Sequence, residues 1–346
     1  MKPYIFRSEP LLVPKVWGGT RLSTLCGKGK QSEVPIGESW EVADLEEGQS
    51  RVATGPLKGM TLRDLGERWK SGLVGTEAES TRFPLLVKLL DAHRDLSVQV
   101  HPGKQDLPTL PGAASKEESW IIVESREGRI IHGLRQDGVS RGEFRDALDS
   151  GVIEELLESR PVIAGDVVHI PPGMIHAIGE GVVLLEIQEP SDTTYRVFDY
   201  NRPGLDGRPR PLHIEEALRV ANLGVSPQKC FAAANQRQNS GKNYWIETES
   251  YRLERYSFGT GWSDSWEIDP RSPQVIHLLT GRLVLEDGLG GELIMESFDT
   301  AVVPAALERL HARGEGEVEF VLAGRALARD LGPGPVTLEE IESLET

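Results

Sequence analysis

The sequence predicts a mainly β fold, made of two β-barrel modules with a small helical insertion in or beside the first. Its 346 residues include 37 glycines and 22 prolines, which favour many turns. Residues 96–101 alternate between apolar and polar side chains, as in a strand with one polar face. From Tyr244 onward, short apolar segments alternate with turn residues, which is typical of an all-β module.

The first part of the chain combines strands with one helix. Residues 1–55 hold short apolar runs among glycines, prolines and polar residues, and we expect strands and loops there. A helix follows, with Thr61 or the residue before it as cap, and with Leu62 and Trp69 on one side. Gly72 is expected to end this helix.

A helical insertion is predicted at about residues 138–160. Ser140 and Glu143 have the spacing of a capping box, in which each side chain bonds the backbone N–H of the other residue. Strand-like runs lie on both sides of the insertion. The other predicted elements of the first module are strands at 83–90, 96–101, 119–123 and within 162–200, and a short helix at 214–222.

A domain boundary is predicted in the polar, Gln- and Asn-rich residues 226–243. The predicted domains are a first domain at 1–235, which contains the helical insertion, a β domain at 240–332 and a tail at 333–346. In the β domain no histidine closely follows Pro304, whereas His176 closely follows Pro171–Gly173 in the first domain, so we expect the β domain to be structural and free of metal. Its predicted strands are Tyr251–Ser257, Gln274–Leu279, Arg282–Leu285, Glu292–Met295, Ala301–Pro304 and Glu317–Leu322.

Charge and cysteine content exclude several classes of function. The net charge of −16 argues against nucleic-acid binding through a basic surface. No run is long enough to span a bilayer and no signal core opens the chain, so a cytoplasmic protein without a membrane partner is expected. Cys26 and Cys230 form no CxxC pair, which excludes a thiolate metal site. Buried free thiols are favoured, although a disulfide stays open.

Two segments about seventy residues apart carry the metal-binding pattern. Gln99 and His101 share one face of the predicted strand at 96–101, and Glu118 follows at the next strand. The second segment brings His176 directly after a tight turn at Pro171–Gly173. An amide oxygen, two imidazoles and one carboxylate form a ligand set for one divalent metal of zinc type.

Each of these residues has an ordinary structural interpretation when it is taken alone. A histidine at a strand end, a buried amide and a solvated carboxylate are all common. The joint spacing is what favours the metal site. The other histidines have no such company and are expected to be structural: His93, His132, His169, His213, His277 and His311.

The sequence resembles type I mannose-6-phosphate isomerase (phosphomannose isomerase), in its short bacterial branch, within the cupin superfamily. The turn before His176 matches the second cupin motif, and Gln99 replaces the first histidine of the first motif. The resemblance extends to about Asn222. The matching segments are Trp17–Gly19, Gly37–Glu41, Leu96–Pro102, Lys116–Trp120, Ile170–Ala177 and Ser191–Tyr200.

This resemblance implies two cupin-type jelly-roll barrels and a zinc enzyme that interconverts mannose 6-phosphate and fructose 6-phosphate. One zinc ion per chain would be held by the family's ligands, which fall on Gln99, His101, Glu118 and His176. The family's catalytic arginine falls on Arg196 and its lysine on Lys116, and a matching glutamate lies at Glu186.

The chemistry of an aldose–ketose isomerisation explains why such residues are needed. A proton moves between C1 and C2 through an enediol, so a base and stabilisation of charge on O1 and O2 are required. A divalent metal and Arg196 suit the second task. The base stays open between a metal-bound water and Glu186, which could instead form a structural ion pair with Arg196.

The substrate would be a small sugar phosphate, bound by a monomer or a homodimer. Its phosphate needs cationic or hydroxyl donors away from the metal. Lysine residues after the first motif and along the apolar run are candidates, as are Lys116 and Arg202. The proposed substrate-binding residues are Ser97, Lys104, Lys88 and Trp17.

Two other functions compete with the isomerase. A non-catalytic sugar-phosphate-binding regulator could keep the fold, but it does not need the full ligand set together with Arg196. An iron-dependent cupin oxygenase is the second alternative. Gln99 disfavours it, because an amide in that place suits a redox-silent Lewis acid better than iron.

Overall fold

A computed structural model describes residues 1–29, 34–224, 230–233 and 241–326. The predicted tail at 333–346 and most of the predicted boundary at 226–243 lie outside these residues. Cys26 and Cys230 are free thiols, as favoured by the sequence, but only Cys26 is buried and Cys230 is partly exposed. Within the described ranges, every helix is too short or too polar to cross a membrane.

The described chain is mainly β, with five α-helices and two 3-10 helices. The strands, in chain order, are β1 (Phe6–Glu9), β2 (Leu11–Gly19), β3 (Ile36–Val42), β4 (Arg51–Val52), β5 (Leu86–Asp91), β6 (Val98–Val100), β7 (Glu118–Ser125), β8 (Arg129–Leu134), β9 (Leu157–Pro161), β10 (Val167–Ile170), β11 (His176–Ile178), β12 (Val182–Gln188), β13 (Tyr195–Phe198), β14 (Phe231–Ala232), β15 (Gly241–Glu247), β16 (Tyr251–Phe258), β17 (Ser263–Glu267), β18 (Gln274–Thr280), β19 (Arg282–Glu286), β20 (Glu292–Glu296), β21 (Thr300–Val303), β22 (Arg309–Gly314) and β23 (Val318–Arg325). The helices are α1 (Arg21–Thr24), α2 (Leu62–Trp69), α3 (Ser71–Val74), α4 (Arg141–Asp149) and α5 (Ile214–Val220), with 3-10 helices at Lys104–Thr109 and Ile153–Glu155.

Side-chain caps start two of the helices where the sequence predicts them. The Thr61 hydroxyl accepts a hydrogen bond from the Asp64 backbone N–H at 3.1 Å, so Thr61 is the cap of α2. Ser140 caps α4 in the same way through Glu143. Gly72, however, does not end α2. The helix ends at Trp69, because Lys70 adopts a left-handed conformation with φ of 49°, and Gly72 lies inside α3.

The helical insertion is shorter than predicted. It holds α4 and the 3-10 helix Ile153–Glu155, but residues from Leu157 form β9, which pairs antiparallel with β8. The predicted insertion at 138–160 therefore overlaps a strand. Phe144 of α4 and Ile153 of the 3-10 helix are buried in a hydrophobic core.

Contacts divide the chain into two compact units. The first holds Met1–Asp91, Leu185–Ser191 and, among the described residues, 241–326, and the second holds Ala92–Leu184 with 192–224 and 230–233. This grouping differs from the predicted division into 1–235 and 240–332. The N-terminal strand β1 pairs with β21, and this pairing joins the start of the chain to its C-terminal strands.

The first unit contains antiparallel sheets around an aliphatic core. One sheet has the order β15-β16-β23-β18-β21-β1-β4, a second has the order β17-β22-β19-β20, and β3 pairs with both β2 and β5. Ile276, Leu285 and Met295 lie in the core of the C-terminal strands. The six strands predicted there are all present, whereas β15, β17 and β22 were not predicted.

The second unit places the strand predicted to have one polar face, β6, inside a sheet, between two neighbouring strands. Its five-stranded sheet has the order β13-β6-β11-β8-β9, and β14, β10 and β7 form an antiparallel set. Val98 and Val100 of β6 pack into a core with Phe144 of α4 and Ala217 of α5. Because side chains alternate along a strand, the opposite face of β6 carries the polar residues of the candidate site.

Candidate metal centre

Three neighbouring strands bring the central residues of the site together. Gln99 of β6 lies opposite His176 of β11 and, on its other side, opposite Arg196 of β13. Residues that face each other across antiparallel strands point to the same side of the sheet. The tight turn before β11 requires glycine at Gly173, where φ is 84° and an added Cβ would lie 2.9 Å from the carbonyl oxygen of Val220.

The metal-binding side chains form one buried cluster. Possible ligand atoms of His101, Glu118 and His176 all lie within 4.8 Å of one another. The His101 Nε2 atom is 3.4 Å from Glu118 Oε2, and the His176 Nε2 atom is 3.3 Å from Glu118 Oε1. The amide of Gln99 completes the set, with its Nε2 atom 3.3 Å from His176 Nε2. The structure therefore brings together all four residues that the sequence predicts as ligands.

Backbone carbonyls fix the orientation of both imidazoles. The His101 Nδ1 atom lies 2.9 Å from the carbonyl oxygen of Thr193, and the His176 Nδ1 atom lies 2.8 Å from that of Met174. A carbonyl only accepts hydrogen bonds, so each Nδ1 donates, and each neutral ring keeps its Nε2 lone pair. Both lone pairs belong to the nitrogens that face Glu118, as in a metal-ligating histidine.

The ammonium of Lys116 affects the protonation of both Glu118 and His101. Its Nζ atom lies 2.8 Å from Glu118 Oε2 and 3.0 Å from His101 Nε2. Burial would raise the pKa of Glu118, but the Lys116 ammonium outweighs it and holds that pKa well below its usual range. Burial, together with Lys116, lowers the pKa of His101 to about 3. The cluster thus combines an ionised carboxylate with a neutral imidazole.

The buried carboxylate lacks hydrogen bonds that it needs. Both oxygens of Glu118 are shielded from solvent, and neither accepts a hydrogen bond of acceptable geometry from the described residues. The Lys116 ammonium compensates part of this buried charge at Oε2, and a cation between the carboxylate and the two imidazoles would compensate the rest. Two imidazoles, one carboxylate and one amide are a donor set that suits zinc. The residues present therefore fit a divalent metal ion.

Arg196 is held at the edge of the cluster by three hydrogen bonds. Its Nε donates to the Ser97 hydroxyl at 3.2 Å, and its Nη1 donates to the carbonyl of Pro211 at 2.9 Å. Its backbone N–H donates to His213 Nδ1 at 3.3 Å. The Nη2 group has no protein partner within the described residues, so it can donate to a ligand.

The other predicted binding residues divide between the two units. Lys104 is exposed in the second unit, at the start of a 3-10 helix just after the first motif. Lys88 and Glu186 lie in the first unit, where their Nζ and Oε1 atoms form a buried ion pair at 3.5 Å. Trp17 is buried in the same unit.

Arg202, a predicted phosphate candidate, has another role in the structure. Its guanidinium donates to Asp199 and to the carbonyl of Asp95, so it holds a loop together.

Some contributors to the site were not predicted from the sequence. His213, expected to be only structural, accepts the backbone hydrogen bond that fixes Arg196. The Thr193 and Met174 carbonyls orient the imidazoles, and no residue type signals a backbone group of this kind in a sequence.

Comparisons with known proteins identify one family of relatives. Residues 5–119 match the family described as "Phosphomannose isomerase type I, catalytic domain". A mannose-6-phosphate isomerase of Streptococcus mutans is 40% identical over 223 residues, which cover 63% of this chain and 69% of that protein.

Solved structures share the fold. The crystal structure of the mannose 6-phosphate isomerase from Bacillus subtilis is 27% identical, with a TM-score of 0.78 over 93% of this chain and 99% of that one. A crystal structure of a mannose 6-phosphate isomerase bound with zinc and yttrium is 18% identical, with a TM-score of 0.70 over 94% of this chain and 100% of that one. This last similarity is one of fold alone.

Proposed function

The chain belongs to the type I mannose-6-phosphate isomerase family, and from this premise we propose that it is a zinc-dependent aldose–ketose isomerase. Its proposed substrates are D-mannose 6-phosphate and D-fructose 6-phosphate, interconverted through an enediol. The observation that carries the proposal is the buried cluster of His101, Glu118 and His176 beside Arg196.

Four side chains would hold one zinc ion per chain. His101 and His176 offer Nε2 lone pairs, and Glu118 offers an ionised carboxylate. Gln99 offers an amide, whose oxygen and nitrogen exchange places by a half rotation. When bound, zinc supplies positive charge that polarises the substrate carbonyl and stabilises the enediolate.

Arg196 has the position and the charge to assist at the reacting oxygens. It faces Gln99 across the strand pair, and two of its nitrogens are fixed by Ser97 and Pro211. Its Nη2 group is then oriented before substrate binds, so donation to O1 or O2 needs little reorganisation. In this proposal Arg196 is a catalytic residue, whereas Ser97 positions it and contacts substrate at its hydroxyl.

The isomerisation requires proton transfers, in which we give roles to Glu186 and Lys116. A base removes the proton from C2 of mannose 6-phosphate, the electrons form the enediolate, and a proton is returned to C1 while O1 and O2 exchange a proton. We propose Glu186 as a candidate base and Lys116 as the group that keeps Glu118 ionised. The ion pair between Lys88 and Glu186 supports an ionised Glu186, which a base requires.

The phosphate contacts and the finer architecture are parts of the same proposal. Lys104 follows His101 by three residues and is exposed, which supports it as a phosphate contact. Lys88 and Trp17 are proposed as further substrate contacts. We also propose that the antiparallel sheets belong to two cupin-type jelly-roll barrels, and that the enzyme works in the cytoplasm as a monomer or homodimer.

A coupled assay of purified, zinc-loaded protein tests the function. Conversion of mannose 6-phosphate to fructose 6-phosphate is expected, and in D2O the product should acquire solvent deuterium at C1 if an enediol forms. Tight binding of the sugar phosphate without turnover would instead support a regulator. Oxygen uptake by an iron-loaded preparation would support the oxygenase.

A further inference from the structure

A second cavity lies in the first unit, among its C-terminal strands. Its volume is about 390 Å³, within the range of small-molecule sites. Its walls come from β16, β18 and β23 of one sheet and from β17 of the other sheet. None of the residues assigned above to the isomerase lines it.

Strand alternation builds one wall of this cavity. Glu254, Tyr256 and Phe258 share a face of β16, since side chains two residues apart point to the same side. Glu254 lies opposite Leu322 and Tyr256 lies opposite Phe320 on β23, so the two strands present one continuous surface.

The surface is a layer of nearly parallel aromatic rings. Phe258 and Trp262 stack with centroids 4.0 Å apart and planes 6° apart, and Tyr256 and Phe320 stack at 5.2 Å and 22°. Tyr256, Phe258 and Trp262 pack against the core on one side and stay partly exposed on the other. Because Phe258 and Trp262 cover each other's inner faces, a ligand can meet only an outer ring face, which carries partial negative charge.

Polar groups surround the rings. Glu254, only 5% exposed, accepts hydrogen bonds from the Tyr256 hydroxyl at 2.9 Å and from Arg252. Gln274 accepts a hydrogen bond from Trp266 Nε1 at 3.0 Å. Its amide nitrogen has no protein partner within the described residues, so it can donate to a ligand.

The charges disfavour a phosphorylated ligand. Four carboxylates and two guanidinium groups line the cavity, so its formal charge is negative. A phosphate would be repelled, whereas hydroxyl groups can donate to carboxylates and accept from arginine and amide N–H groups. The C–H faces of a pyranose ring also match the negative faces of aromatic rings.

We propose that this cavity binds a neutral pyranose sugar, with one sugar face on the outer face of the Trp262 ring and with hydroxyl groups on Glu254 and Gln274. The site is separate from the isomerase chemistry, because its ligand carries no phosphate and its residues include none of the proposed ligands of zinc. It gives the C-terminal β module a binding role in addition to the structural one expected from its sequence.

Saturation-transfer NMR with methyl α-D-mannopyranoside and methyl α-D-glucopyranoside, titrated into the zinc-loaded full-length protein, tests this site. We expect at least one glycoside to bind with a dissociation constant of roughly 1–10 mM, as for a small ligand with few anchoring groups. Trp262→Ala and Gln274→Ala should each weaken binding by about tenfold or more and leave isomerase activity unchanged.

Two controls separate this site from the isomerase site. Ile294→Ala, on an exposed position of β20 outside the cavity, should bind the glycoside like the parent protein. Mannose 6-phosphate should not displace the glycoside.

The proposal is overturned if neither glycoside binds, if both cavity variants bind normally, or if mannose 6-phosphate displaces the glycoside and His101→Ala abolishes its binding. Retained isomerase activity shows that a cavity variant is folded, so loss of glycoside binding then supports the site.

Discussion

Gln99 and His176 lie opposite each other on neighbouring antiparallel strands, with their Nε2 atoms 3.3 Å apart. They are separated by 77 positions in the chain, so the pairing of β6 with β11 is what joins the two sequence motifs. This pairing makes the amide a member of the same cluster as the two imidazoles and the carboxylate.

Removing the Gln99 amide is expected to weaken zinc binding without unfolding the protein. Gln99→Ala deletes one of four donors and leaves both histidines oriented by their backbone carbonyls. Zinc affinity should fall by about tenfold or more, measured by competition with a chromogenic chelator. Gln105→Ala, at an exposed position, is the matched control and should bind zinc normally. Equal affinities of the two variants would exclude Gln99 as a ligand.

Glu118 and Lys116 are expected to act as a pair in stability but not in metal binding. Glu118→Gln leaves the buried ammonium of Lys116 without its anion, and this should lower the free energy of unfolding by about 3 kcal/mol. Adding Lys116→Met should recover most of that loss, measured by urea denaturation of the metal-free protein.

The same double variant should still lack bound zinc and activity, because it has no carboxylate ligand. Mass-spectrometric metal counts check this outcome. Zinc at one ion per chain in the double variant would contradict the role given to Glu118.

Arg196 is expected to act on the rate of the chemical step. Arg196→Lys keeps a positive charge but loses the planar fork that bonds Ser97 and Pro211. We expect kcat to fall by about 100-fold or more with a smaller change in KM. Arg94→Lys, at an exposed position, is the control and should leave both constants unchanged.

Ser97 should act on kcat through that arginine, whereas its proposed contact with substrate should appear in KM. Ser97→Ala should therefore lower kcat much less in the Arg196→Lys background than in the parent enzyme. Additive effects of the two substitutions on kcat would show that Ser97 acts by another route.

The lowered pKa of Glu38 predicts how the free energy of unfolding depends on pH. Burial would raise its pKa, but Lys88, Lys15 and a hydrogen bond from Trp40 lower it to about 2. An unfolded glutamate titrates near 4.5, so the stabilisation is present above that pH and is lost as the pH falls toward 2. Between pH 5 and pH 3 the parent protein should lose about 2 kcal/mol of unfolding free energy more than Glu38→Gln. Parallel losses in urea titrations of both proteins would contradict this assignment.

The polar strand was predictable because its pattern is local. The alternation across residues 96–101 already separates Val98 and Val100 from Gln99, and the core of the second unit contains both valines. The cap at Ser140 was predictable for the same reason, since its partner Glu143 is three residues away.

Features that depend on distant chain segments or on exposed polar strands were not predictable. Strands β17 and β22 carry few apolar residues, so they lack the apolar signal that identified the six predicted strands of the β domain. The pairing of β1 with β21 joins residues almost three hundred positions apart. The end of α2 at Lys70 depends on a left-handed backbone that the sequence signals only weakly at a lysine, and the nearby glycine was the stronger signal.

The most direct test of the account is a metal titration of isomerase activity. Purified protein is stripped with a chelator, and zinc is returned in measured amounts while the conversion of mannose 6-phosphate to fructose 6-phosphate is followed. We predict that activity disappears on stripping and rises linearly to a plateau at one zinc ion per chain, and that His93→Ala, exposed outside the cluster, behaves like the parent protein. Full activity in the stripped protein, or no activity in protein that has bound one zinc ion per chain, would contradict the account.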